Sequence, residues 1–191
     1  MSICDRRSIL KIRDLILSVM ALMLLGWSTA NGQGSTIWTV DDNCPADFSN
    51  IQDAVDVALN GDTIEVKPGT YYGTGNPDQP VVDMLGKSIT LVGLPSGSNR
   101  VFVDGNNNRR CLDCTSGESA GTVIESIDFR NGYADFGGGL RCLDTSPTLK
   151  DCIFDENTAT SAGGGVYIEG GSPYLESCKI TDNDSPYGAG L

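Results

Sequence analysis

Carboxylates and guanidinium groups must carry any acid–base chemistry in this chain, because it contains no histidine. That absence removes the usual general base and the serine or cysteine nucleophile systems built on imidazole. Paired carboxylates remain sufficient for acid/base sugar chemistry. The densest oxygen clusters are Asp155-Glu156-Asn157 and Asp182-Asn183-Asp184. Asp155 and Asp182 are therefore the candidate catalytic carboxylates. Asp155, Glu156, Asp182 and Asp184 are the candidate ligands for Ca²⁺, a hard cation that prefers oxygen. Neither cluster shows the glycine-aspartate nonapeptide of calcium β-rolls, and no organic cofactor is expected. The other charges near turns, among them Asp128, Arg130, Asp135, Arg141, Lys150 and Glu176, read as solvated wall positions.

Cysteine is the second chemical resource. Cys4 lies in the leading segment, and Cys44, Cys111, Cys114, Cys142, Cys152 and Cys178 follow it. An even number in an exported chain favours disulfides, with Cys152 over Cys178 and Cys114 over Cys142 as stacked pairs; free stacked thiols are the competing reading. Cys111-Leu112-Asp113-Cys114 has a metal-like spacing but lacks the second cysteine pair or histidine that zinc needs.

Positioning these groups falls to a repeat. Pro147-Thr148-Leu149-Lys150-Asp151-Cys152-Ile153-Phe154-Asp155-Glu156-Asn157 is answered 26 residues later by Pro173-Tyr174-Leu175-Glu176-Ser177-Cys178-Lys179-Ile180-Thr181-Asp182-Asn183. Glycine blocks at 137–139, 163–165 and 188–190 punctuate the repeats. A fixed period of this length is a stacked repeat, and its β-branched, glycine-rich composition makes the unit a coil of strands. Leu175, Cys178 and Ile180 all face inward if the chain bends at Glu176-Ser177, and Leu149, Cys152 and Phe154 repeat that pattern. One coil earlier, Ile124, Ile127 and Phe129 fit with an offset of 25. Asn157, Asn183 and Gly132 mark a tight turn expected to use left-handed backbone, and the asparagine amides are expected to stack and satisfy turn carbonyls. The glycine blocks serve sharp turns and close backbone approach; no helix follows them to make a phosphate cradle.

The fold class is therefore all-β, a parallel β-helix that is right-handed by the usual rule for parallel connections, with one N-terminal capping helix. That helix is expected from Ser49 to Asn60. Ser49 and Gln52 would form its capping box, Ile51, Val55, Ala58 and Leu59 its apolar face, and Gly61 its stop. Residues 73–80 read as a loop.

The combination Phe154-Asp155-Glu156-Asn157 with Gly163-Gly164-Gly165-Val166 resembles the Phe-x-x-Asn and Gly-Gly-Ala/Gly-aliphatic repeats of polymorphic outer-membrane proteins. More broadly, the chain is similar to secreted right-handed β-helix proteins of the pectin-lyase-like superfamily, most closely over residues 121–191. The line from Ile51 to Tyr71 looks like the opening of pectin methylesterases. Those esterases continue with Glu where Gly73 stands, and their Gln-Asp and Gly-Arg-Pro-Trp elements are missing. The Gly-His-Gly element of polygalacturonases is missing too. The resemblance implies the fold and leaves the activity open.

Residues 1–30 read as an export signal: Arg6, Arg7, Lys11 and Arg13 precede the apolar run 15–27, and Ser28-Thr29-Ala30 supplies a small-residue cleavage site. The run is shorter than a membrane span. Removal of this segment moves the net charge from −12 to −14, since four basic and two acidic residues leave with it. Such acidity argues against nucleic acid and anionic membranes as partners. A single domain over residues 31–191 is expected, secreted or at the cell surface, and it closes inside a repeat as a piece of a longer protein would. Two functions follow. One is a non-catalytic scaffold or adhesin contacting polysaccharide or a cell-surface protein through Tyr133, Tyr167, Tyr174 or Tyr187. The other is a polysaccharide lyase or glycoside hydrolase acting on acidic or plant and algal polysaccharides.

Overall fold

The computed structural model describes residues 34–43 and 45–191; the expected export signal, Cys4 and Cys44 lie outside them. The described chain winds into a parallel β-solenoid of six coils with three long walls. The first wall stacks 37–40, 63–66, 90–93, 123–125, 148–150 and 174–176. The second stacks 69–72, 101–104, 128–130, 153–155 and 179–181, and the third stacks 82–83, 112–114, 140–143 and 166–169. A short two-stranded sheet, 133–136 with 158–162, lies between the second and third walls. Every pairing between these strands is parallel.

Like side chains lie over like. On the first wall Trp38, Ile64, Leu91, Ile124, Leu149 and Leu175 form one inward column. On the second, Tyr71, Val103, Phe129, Phe154 and Ile180 do the same. Phe129 and Phe154 stack with ring centroids 5.1 Å apart and planes 11° from parallel, an arrangement that adds about 1 kcal/mol to the area they bury. The offset of 25 at Ile124 and Phe129 holds, and so does the phase-shifting bend. Ser126, Asp151 and Ser177 each sit at positive φ between the first and second walls.

At the second corner the structure corrects the expectation. The left-handed residues are Asn131, Glu156 and Asp182, one position before Gly132, Asn157 and Asn183. The asparagine amides do stack and bond inside the wall, as expected. The Asn157 amide nitrogen donates to the Phe129 carbonyl (3.0 Å) and to Asn183 Oδ1 (3.0 Å), and its Oδ1 accepts from the Gly132 N–H (2.8 Å). Asn183 Nδ2 repeats the first bond to the Phe154 carbonyl at 3.0 Å. Each amide thus replaces the water that a buried corner has lost. At the third corner the first glycine of each block, Gly137, Gly163 and Gly188, is left-handed.

The first coil is closed by the one helix among the described residues, Ile51–Val57. Ile51, Ala54 and Val55 are buried against the opening strands, so the helix covers an apolar end that would otherwise meet water. Its ends differ from the sequence expectation. Asn50, not Ser49, is the N-cap, accepting the Gln52 N–H at 2.7 Å. Gln52 is spent elsewhere: its amide accepts from the Asp83 N–H (2.7 Å) and donates to the Asp83 carbonyl (3.3 Å), standing in for a peptide group at the open edge of the third wall. The helix stops at Ala58, which is extended. Lys87 Nζ donates to the carbonyls of Val55 (2.6 Å) and Asp56 (2.9 Å), satisfying the last turn. Leu59 lies beyond the helix, exposed, and Gly61 serves the turn into the next strand.

Candidate functional site

The cysteines come together as stacked pairs, but as free thiols. Cys111, Cys114, Cys142, Cys152 and Cys178 carry no disulfide, which corrects the expectation of bridges. In register, neighbouring parallel strands project both side chains the same way, and the sulfurs lie side by side as S–H donors and acceptors. Cys114 faces Cys142 across the third wall, and its thiol is held well above its ordinary value by that contact and by burial. Cys152, buried under the Cys178 thiol, is shifted up in the same way. The half-buried Cys178 moves down to about 7, chiefly because Cys152 donates to it. Cys111 points into the corner beside Asn157 and donates to the Arg130 carbonyl at 3.2 Å, far in role from a zinc ligand.

The carboxylates singled out by sequence are spread along the wall. Asp155 pairs in register with Arg130 and Thr181, accepting from Thr181 Oγ1 at 2.8 Å, while Arg130 is turned to Asp104 at 2.9 Å. Glu156, Asp182 and Asp184 are exposed at the corner, while Asn157 and Asn183 are turned inward. The corner therefore divides each oxygen cluster. Among the described residues no three His, Cys, Asp or Glu side chains converge on a point that could hold a metal ion.

A cleft opens elsewhere, on the outer side of the short sheet. It has a volume of about 410 Å³, and its walls include Pro77, Asp78 and Pro80 of the 73–80 loop, Asn108-Arg109-Arg110, Tyr133–Phe136 and Arg141. Tyr133 and Phe136 present 44% and 41% of their surface, while Phe136 is braced by Tyr167 at 4.9 Å between centroids. Arg110 is built into the wall: Nε donates to the Gly137 carbonyl (2.9 Å) and Nη2 to that of Phe136 (2.8 Å). Arg141 forks onto Asp113 (2.9 and 2.7 Å), and Arg110 Nη1 reaches the same carboxylate at 3.5 Å. Rigid aromatic faces beside polar planar groups in a concave wall are the composition of a ligand cleft.

Beside the cleft, Asp83 and Asp113 face each other in register on the third wall, with Arg141 next in the column. Burial raises the Asp83 carboxyl, and Asp113 and Glu118 add to the shift. Asp113 is ion-paired instead. A folded-state value above the unfolded one means that ionised Asp83 costs stability at neutral pH, and that the cost disappears as pH falls below the ordinary carboxylate range. Asp83→Asn is expected to raise the melting temperature at pH 7 by about 2 °C, a sub-kcal/mol gain in a domain of this size. At pH 3 the two proteins should melt together, a comparison that thermal denaturation makes directly.

Of this cleft the sequence flagged Tyr133, Asp135 and Arg141, and it missed Phe136, Arg109, Arg110, Asp113 and Asp83. Adjacent arginines in a strongly acidic chain were the available signal. No family model, no curated protein and no solved structure matches the chain.

Proposed function

We propose that the chain is a secreted or cell-surface β-helix scaffold whose cleft binds a saccharide without transforming it. The observation that carries this reading is the pairing of two exposed aromatic rings, Tyr133 and Phe136, with arginine, aspartate and asparagine side chains in one cleft of about 410 Å³. Sugar rings offer C–H faces to aromatics and hydroxyl groups to planar donors and acceptors. The reading of residues 1–30 as an export signal supports the location. Tyr133→Ala and Phe136→Ala should each weaken binding of the best oligosaccharide from a glycan array by about tenfold, the size of one lost stacking contact, as measured by titration calorimetry. Unchanged affinity in both variants would defeat the reading.

One observation favours catalysis as a second reading. Asp83 and Asp113 lie in register on adjacent strands, and their environments differ in the way an acid and a base require. Release of reducing ends that stops in both Asp83→Asn and Asp113→Asn would establish this reading over the first.

A further inference from the structure

Arg109 and Arg110 are buried cations without a close carboxylate of their own, although Asp113 and Asp135 stand near Arg110. Arg109 retains 9% of its surface, yet among the described residues its guanidinium is held only by Asn108 Oδ1 (3.5 Å) and the Thr74 carbonyl (3.4 Å). Gly73 makes the room: a Cβ there would lie 2.4 Å from Arg109 Nη1. Arg110, with 12% of its side chain exposed, spends two nitrogens on backbone carbonyls and shares the one Asp113 carboxylate with Arg141. Buried charges are normally paired, and here the open side of all three guanidiniums is a cleft.

The geometry of the remaining donors selects the partner. On Arg110 the Nε–Nη2 edge, which would grip a planar carboxylate side-on, is closed by the Gly137 and Phe136 carbonyls. On Arg141 the same edge is closed by Asp113. The remaining N–H groups belong to three separate guanidiniums, those of Arg109, Arg110 and Arg141, all of which line the cleft. A tetrahedral oxyanion with diverging oxygens uses such donors better than a flat carboxylate does. Asp78 and Asp135, also part of the cleft wall, are exposed, and Asp135 accepts from Thr160 Oγ1 at 2.7 Å.

We propose that the cleft holds one tetrahedral oxyanion of its ligand, a sulfate or phosphate ester on a saccharide, on the open N–H groups of Arg109, Arg110 and Arg141. This rests on the saccharide reading of the same cleft. The test titrates the full chain calorimetrically with one oligosaccharide in four forms: unmodified, carboxylated, sulfated and phosphorylated. In parallel, ¹⁵N spectra of the arginine Nε–H groups follow the addition of inorganic sulfate and inorganic phosphate. At least one ester should bind about tenfold tighter than the unmodified and carboxylated forms, and the preferred ester identifies the source. Arg109→Gln and Arg110→Gln should erase that preference. Arg110 also braces two carbonyls, so Arg109→Gln, which touches only long bonds, keeps the test valid if the Arg110 variant does not fold. A carboxylated form that binds as well as either ester, or a preference that survives Arg109→Gln, overturns the proposal and leaves saccharide binding intact. Binding of no oligosaccharide, with inorganic sulfate or phosphate still moving the Arg109 and Arg110 signals, overturns the saccharide reading and leaves the oxyanion subsite standing. Silence in both measurements overturns both.

Discussion

Asn157→Leu is expected to lower the melting temperature by roughly 10 °C, the response of a domain of this size to a loss of about 4 kcal/mol. Leucine has the same branched four-atom skeleton as asparagine with bulkier ends, so the change removes bonds without opening a cavity. It removes the partner of the Gly132 N–H (2.8 Å) and one donor to the Phe129 carbonyl (3.0 Å). Both lie in a corner where Asn157 itself has no exposed surface, so water does not replace the lost partner. An unmade buried hydrogen bond costs about 1–3 kcal/mol per group, and two bonds are lost here, along with one to Asn183. Asn183→Leu supplies the internal contrast. It deletes the equivalent bond to the Phe154 carbonyl and the Oδ1 that accepts from the Asn157 N–H (2.9 Å) and Nδ2 (3.0 Å), but at a half-buried corner nearer to water, and its effect should be smaller than the first. Thermal denaturation of the two variants decides the matter: equal shifts would mean that the buried asparagine is no more important than its half-buried neighbour.

Gly132→Ala is the second large loss, of about 3 kcal/mol from overpacking. A Cβ at this position would stand 2.0 Å from the Gly138 carbonyl oxygen and 2.8 Å from Asn157 Oδ1. The first obstacle is backbone, which does not rotate aside, and the second is the amide that the corner needs in place. Relief of either contact moves the Gly138 carbonyl, which accepts the Cys111 N–H at 3.1 Å, so strain passes from the short sheet into the third wall. Gly34→Ala is the matched control, since nothing lies within 4 Å of a Cβ built there, and it should change stability by no more than about 0.5 kcal/mol. Chemical denaturation of both variants measures the difference. A Gly132→Ala protein as stable as the control would show that the corner has slack the geometry denies.

Both effects explain why one coil departs from the repeat. Position 132 holds glycine where the next two coils hold asparagine, and the sequence alone offers only their shared ease in left-handed backbone. That shared property is not what the position uses, because the left-handed residue is the one before. Close approach of Gly138 leaves no room for a side chain at 132, and the Cys111 thiol and the Asn157 amide occupy the space an asparagine there would have filled. The helix shows the same division. Its apolar spacing announced a lid, while its true N-cap and the alternative use of Gln52 depended on the third-wall edge lying beside it.

Coil order, inward columns and the bend between the first two walls were readable from the chain, because each depends on residues a few places apart and on a repeat that sets each coil on its equivalent; the second corner was located, but its left-handed residue lies one position earlier than expected. Leu149 over Leu175 and Cys152 beside Cys178 follow from spacing and nothing else. The cleft does not follow from spacing. It joins a loop that belongs to no repeat, two arginines at the end of an irregular turn and one strand of a short sheet, and these meet only after the coils have stacked. Whether Asp83 is strained or Asp113 neutralised, and whether Arg109 finds a counter-charge, depends on which neighbours the winding brings within a few ångströms; charge and desolvation act through space, and residue order along a chain does not record distance.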